Sequence, residues 1–228
     1  MSNQRRILMV LTGHTRLGDT GRTTGFHVAE AAYPWRAFTD AGYAVDFVTP
    51  NVADPTPDNA DRSDPVQRDF LDDAGVIAGL ANAARPMDVE ASEYAGIFYV
   101  GGHGTMWDFP QDTTLARIAR DVYEAGGVVS AICHGPAGLV DVTLSDGTYL
   151  VDGKRLTSFT DSEERAVGAD GAVPFLLEST LTERGAVHSG AADFTAHTVA
   201  DGQLVTGQNP ASAPGTAEAV LKSLAARV

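Results

Sequence analysis

Cysteine is nearly absent. Cys133 is the only one in 228 residues. It has no internal partner, so no disulfide can hold the fold, and a reducing, cytoplasmic setting is the simplest reading. No apolar run approaches the ~18 residues that span a bilayer. The opening MSNQRRILMVLTGH has two arginines and a short apolar run but no small-residue cleavage site, so Ile7 to Leu11 reads as a buried strand, not a signal peptide. Lysine is scarce too, with two against 14 arginines, a compositional bias without functional content. Positive charge is outweighed, 16 basic residues facing 30 acidic ones for a formal net charge of −14. So acidic a surface repels phosphate backbones and anionic lipids, which argues against nucleic-acid and membrane partners. The hydrophobic share, 43%, is that of an ordinary globular protein. A chain this long buries roughly 70% of its unfolded surface, so residues 1–228 read as one domain needing no structural metal.

Short apolar runs alternate with helical patterns. Segments 6–11, 44–48, 96–100 and 128–132 are β-rich and apolar throughout, as strands covered on both faces of a parallel sheet should be. Helices are expected over about 23–41, 67–83 and 112–126. The order β-α-β-α-β-α-β predicts a doubly wound α/β sheet. Beyond residue 140, segments 147–151 and 155–159 suggest a hairpin around Asp152-Gly153. A helix near 174–184, a strand near 203–207 and a helix over 214–226 follow. Residues 51–90 form a loop and helix elaboration; its first part, 51–65, is rich in proline and aspartate and reads as a solvated loop or as a lid or dimer contact.

Three segments could carry chemistry. In VVSAICHGPAGLV (128–140) a buried strand ends at Ile132, and Pro136 suits the first turn of a helix through Leu139. Cys133 then occupies a nucleophile elbow, where helix N–H groups and the positive helix end favour a thiolate. The competing reading is an inert buried cysteine. The turn VGGHG (100–104) also follows a strand, at the sheet edge where parallel sheets bind ligands. Gly101 and Gly102 allow backbone N–H groups to approach a bound oxygen, and His103 can line the same site. Third, Glu30 falls on the apolar stripe of its helix with Phe26, Ala29, Tyr33 and Ala37. Burial there would raise its pKa and suit it to hold a proton near neutrality; at the stripe's edge it would reach solvent instead. No histidine shows HxxxH, HExxH or CxxC spacing, and no metal is expected. His14, His27, His188 and His197 read as surface or satisfied residues.

GRTTGFHVAE, YVGGHGTMWDFP, AICHGPAGL, LTSFTDSEE and LVTGQNPAS together resemble the ThiJ/PfpI superfamily of class I glutamine amidotransferase-like proteins. Over residues 7 to about 220 the chain looks most like the heat-shock chaperone and glutathione-independent glyoxalase III branch. The resemblance implies a flavodoxin-like α/β sandwich with a mostly parallel sheet, and a homodimer. By position it implies Cys133 as nucleophile, His134 as its acid/base partner and Glu30 as a buried carboxylic acid near the sulfur. Backbone N–H groups of Gly102 and His134 would form the oxyanion hole. The acid orienting His134 would come from FTDSEE, at Glu164 or at the adjacent Glu163. Asn51-Val52-Ala53-Asp54 departs from relatives that often carry a glycine pair.

The activity so implied is a lyase reaction without organic cofactor or metal, turning a small α-oxoaldehyde such as methylglyoxal or glyoxal into lactate or glycolate. A holdase chaperone, a protein deglycase and a cysteine-dependent amidase or hydratase are the alternatives, since one fold hosts several functions.

Overall fold

The computed structural model describes residues 5–50 and 55–227. In chain order the elements are β1 (Arg6–Val10), β2 (Phe26–His27), α1 (Val28–Asp40), β3 (Ala44–Val48), β4 (Pro57–Asp58), α2 (Pro65–Asp72), α3 (Ala74–Ala81), β5 (Tyr94–Tyr99), α4 (Thr105–Asp108), α5 (Thr113–Glu124), β6 (Val128–Ile132), β7 (Arg155–Leu156), α6 (Asp161–Ala166), α7 (Leu177–Glu183), β8 (Val187–His188), β9 (Thr198–Asp201), β10 (Leu204–Gly207) and α8 (Ala213–Ala225). Six strands form the main sheet in the order β3-β1-β5-β6-β10-β9. All pairs are parallel except β10 with β9. The parallel strands follow the flavodoxin-like order, which places ligand sites beyond their carboxyl ends.

All four apolar runs became strands, three of them (β1, β5, β6) in the middle of the sheet with both faces covered and β3 at its edge. Residues alternating along β1, β5 and β6 feed two separate cores. Leu8, Ile97, Tyr99 and Val129 pack with α5 residues such as Ile118, while Met9, Phe98, Val128 and Ile132 pack with α1 and α8 residues such as Phe38 and Val220. None of the described helices is long and apolar enough to cross a membrane.

Several boundaries differ from expectation. α1 starts at Val28, five residues late, because Phe26–His27 first pairs with Pro57–Asp58 of the proline-rich segment. That segment is therefore anchored by a short strand pair at one point, and otherwise mostly exposed; its residues 51–54 lie outside the described residues. The expected helix 67–83 is two helices, parted at Asp73, whose backbone is extended and whose side chain caps α3 at Val76 N–H. The hairpin around Asp152-Gly153 does not form. The chain does turn there, with Gly153 at φ 69°, but β7 pairs in parallel with β8, thirty residues on.

Candidate active site

Two tight turns at the carboxyl ends of β5 and β6 build the site. Cys133 directly follows β6 with φ 58°, a left-handed angle uncommon outside glycine. Its N–H donates to Gly207 O at 2.8 Å and its carbonyl accepts from Phe159 N–H at 2.8 Å, so neighbouring segments hold the strained residue in place. The residues after it form a short 3-10 turn, Gly135–Leu139, instead of the expected α-helix. Across from it, a Cβ at Gly101 would land on Glu30 Oε2 and lie 2.8 Å from Cys133 Cβ, so only glycine fits between the two side chains. Gly102, at φ 112°, packs on the backbone of Gly25 and His27. Its N–H has no acceptor among the described residues. Thr105 Oγ1 ties the two turns together, donating to the carbonyls of Gly102 and His134, each at 3.0 Å.

Around the sulfur lie the side chains that the sequence singled out. Cys133 Sγ is 3.3 Å from His134 Nδ1. His134 Nε2 is 2.8 Å from Glu164 Oε2, and His103 Nε2 is 2.8 Å from Glu164 Oε1. The carboxylate fixes Nε2 of His134 as the protonated nitrogen and leaves the Nδ1 lone pair facing sulfur. The His134 ring packs against both His103 (centroids 4.1 Å apart) and Phe159 (4.4 Å), which also meet each other at 6.1 Å. Glu30, Cys133, His134 and Glu164 are buried; His103 is partly exposed.

Glu30 is buried, as one of its two sequence readings required; α1 turns Val28, Ala31, Ala32 and Phe38 fully inward, while Tyr33 and Ala37 of the expected stripe pack against that core only partly buried. Neither Glu30 oxygen closes a hydrogen bond of full geometry; its nearest polar neighbours are the Cys133 thiol and the Gly101 N–H. Burial pushes its pKa up to about 8. Burial would raise Glu164 as well, but hydrogen bonds from His103 and His134 hold it down at about 2. Burial, and then the neighbouring His103, keep His134 neutral, with a pKa of about 4. Against the expected thiolate, burial and then Glu30 push the Cys133 thiol up, and the backbone N–H of His134 pulls the other way. The helix end that was to favour a thiolate is only the short 3-10 turn.

The choice between adjacent glutamates is made by their partners. Glu163 lies among Thr160, Phe194 and Asn209, away from His134. It completes a capping box with Thr160 at the start of α6. Thr-x-x-Glu is the sequence signature of such a box, and at 160–163 it would have separated the two. His27 departs from its satisfied reading: its Nδ1 is buried without a partner, and its pKa falls to about 4, mainly through burial. Spacing motifs also missed the gathering of His103, His134 and Glu164, whose ligand atoms lie within 4.8 Å of one another but come from two turns and from α6. Each carboxylate oxygen there is already taken by a histidine nitrogen.

The model of the DJ-1/PfpI family matches residues 22–223. The chain belongs to that family. In it, the glutathione-independent glyoxalase HSP31 of Saccharomyces cerevisiae is 33% identical, over 93% of this chain and 95% of its own. Among solved structures, glyoxalase III of Candida albicans superposes with a TM-score of 0.88 at 30% identity, covering 96% of this chain and 97% of that one. Rapid encystment protein 24 kDa of Francisella tularensis superposes with a TM-score of 0.92 at 34% identity, covering 97% and 99%. Membership fixes the flavodoxin-like fold that the sequence pattern and its family resemblance implied.

Proposed function

We propose that this DJ-1/PfpI chain is a glutathione-independent glyoxalase that turns a 2-oxoaldehyde into the 2-hydroxy acid. The names of its relatives support the activity. The observation that carries the chemistry is the placement of one sulfur between a neutral imidazole and an unpartnered, proton-holding carboxyl.

His134 Nδ1 takes the thiol proton as Cys133 Sγ attacks the aldehyde carbon, C1. Glu164 stabilises the imidazolium that forms. The free Gly102 N–H steadies the developing oxyanion, which the imidazolium then protonates to give a hemithioacetal. Glu30 next works with both oxygens. Its bare oxygen takes the hydrogen on C1 while its O–H gives a proton to the carbonyl oxygen on C2, forming an enediol. Returning the proton to C2, with loss of the O–H proton on C1, leaves a thioester. Water, activated by His134, hydrolyses it, releases the 2-hydroxy acid and restores the thiol. One carbon is oxidised and its neighbour reduced, so no outside oxidant enters. The reducing, cytoplasmic setting read from the lone cysteine would keep Cys133 available for the first step.

The test is to incubate the chain with methylglyoxal, without glutathione, in D₂O. The expected product is lactate carrying deuterium at C2. Lactate without it, together with activity lost to a chelator, would overturn the enediol route and turn attention to the His103–His134–Glu164 cluster as a metal centre. Absence of any lactate, with suppressed aggregation of a test protein, would favour a holdase.

A further inference from the structure

Glu163 is fully buried, yet it touches none of the reacting groups. Its Oε2 caps α6 through Thr160, while its Oε1 accepts from Phe194 N–H at 2.7 Å and from Asn209 Nδ2 at 2.9 Å. Asn209 also donates to Thr195 O at 2.8 Å, and Ser162 Oγ donates to Asp193 at 2.6 Å. A buried carboxyl and a set of side-chain bonds are thus committed to one short surface segment on either side of Phe194. Phe194 itself has φ 59°, a left-handed angle that is an outlier for a bulky residue, and the residue is 49% exposed. Strain of this kind persists only where surrounding bonds over-determine it, and it gathers at functional sites.

The direction of that ring gives the strain a use. Phe194 lies 6.3 Å from Phe159, and Phe159 lies 4.4 Å from the His134 ring. A row of aromatic faces therefore runs from the surface to the imidazole beside Cys133. Were a substrate bonded through C1 to the sulfur to extend its C2 substituent along that row, an apolar or aryl group would gain contact there and a hydrogen none.

We propose that Phe194 and Phe159 form an apolar wall for the C2 substituent, with Glu163 as the positioning residue that holds it, so that the site prefers aryl- and alkyl-substituted 2-oxoaldehydes to glyoxal. This rests on the glyoxalase reading above.

The experiment compares kcat/KM for phenylglyoxal, methylglyoxal and glyoxal on the full chain. The parent should favour phenylglyoxal over glyoxal by about tenfold or more. F194A and F194G should each lower that ratio about tenfold, mainly through KM for phenylglyoxal, with glyoxal falling less because it has no substituent to lose. F194W should keep the ratio. E163A should raise KM for phenylglyoxal more than it lowers kcat, with folding checked by thermal melting; should it not fold, the Phe194 series decides. A parent active on all three substrates with an unchanged ratio in F194A overturns the wall alone. A parent inactive on all three overturns the glyoxalase reading itself.

Discussion

Glu30 and Glu164 are both buried, both beside the Cys133–His134 pair, and driven in opposite directions. Glu30 projects from α1 towards Gly101 and Cys133, neither oxygen closing a full hydrogen bond among the described residues, and burial holds its proton to about pH 8. Glu164 projects from α6 onto two histidine nitrogens, one per oxygen, and those bonds keep it ionised to about pH 2. Burial alone does not set the role of a carboxyl; the kind of donor beside it does, a thiol and one amide for Glu30 against two imidazoles for Glu164. In the proposed reaction, the unpartnered group moves protons and the partnered one holds a charge and a ring in place.

The comparison breaks most sharply at Glu30. E30Q keeps the shape but cannot take the hydrogen from C1, so kcat should fall by about 10² to 10⁴. Steady-state turnover of methylglyoxal checks this, and a near-normal rate would remove Glu30 from the mechanism.

The pH profile sharpens the same contrast. The active form needs His134 neutral and Glu30 protonated, so activity should fall below about pH 4 and above about pH 8. Above the upper limb the loss should approach about tenfold per pH unit. E164Q should displace the acid limb, because the charge that favours imidazolium is gone, and leave the alkaline limb in place. An alkaline limb that moves in E164Q would mean that the two carboxyls titrate together.

How far the site could be read from the sequence follows the same division between local pattern and distant partners. The Cys133 elbow was legible because a largely apolar strand stops at a Cys-His-Gly-Pro turn, and the glycines at 101 and 102 were legible as a backbone needed close to a ligand. Glu30 was legible only as two alternatives, since spacing shows a face but not what covers it. The state of Cys133 was less legible: the sequence shows the turn at the strand end, while the burial and the nearby carboxyl that push the thiol pKa up come from chain segments far apart. The hairpin at 152–153 failed for a related reason, as a turn signal fixes a bend without fixing the partner strand. The segment bearing Phe194 left no periodic trace at all, being held by side chains from residues 162, 163 and 209.

A thiol whose pKa is raised should also react slowly. Iodoacetamide at pH 7 should label Cys133 more slowly than a free thiol, with the rate rising as pH increases. Mass spectrometry of the labelled peptide follows it. Fast labelling at pH 7 would mean that substrate-free Cys133 is a thiolate and that Glu30 is its hydrogen-bond donor.

The smallest effect lies in folding stability, where the two carboxyls should contribute opposite slopes. Glu30 keeps its proton to about pH 8 when folded but releases it near 4.5 when unfolded, so between those values the folded state binds more protons. Its contribution to stability is therefore full below about 4.5 and shrinks as pH rises towards 8. Glu164 is the reverse, ionised to about pH 2 when folded against 4.5 unfolded, so its contribution is full above about 4.5 and is lost as pH falls towards 2. Urea titrations from pH 3 to 9 on the parent, E30Q and E164Q separate them. E30Q should flatten the decline between pH 5 and 8 while leaving the acid side unchanged, and E164Q should flatten the acid side alone. The same residual slope between pH 5 and 8 in parent and E30Q would show that Glu30 ionises in the folded chain as freely as in water, and the contrast between the two carboxyls would be gone.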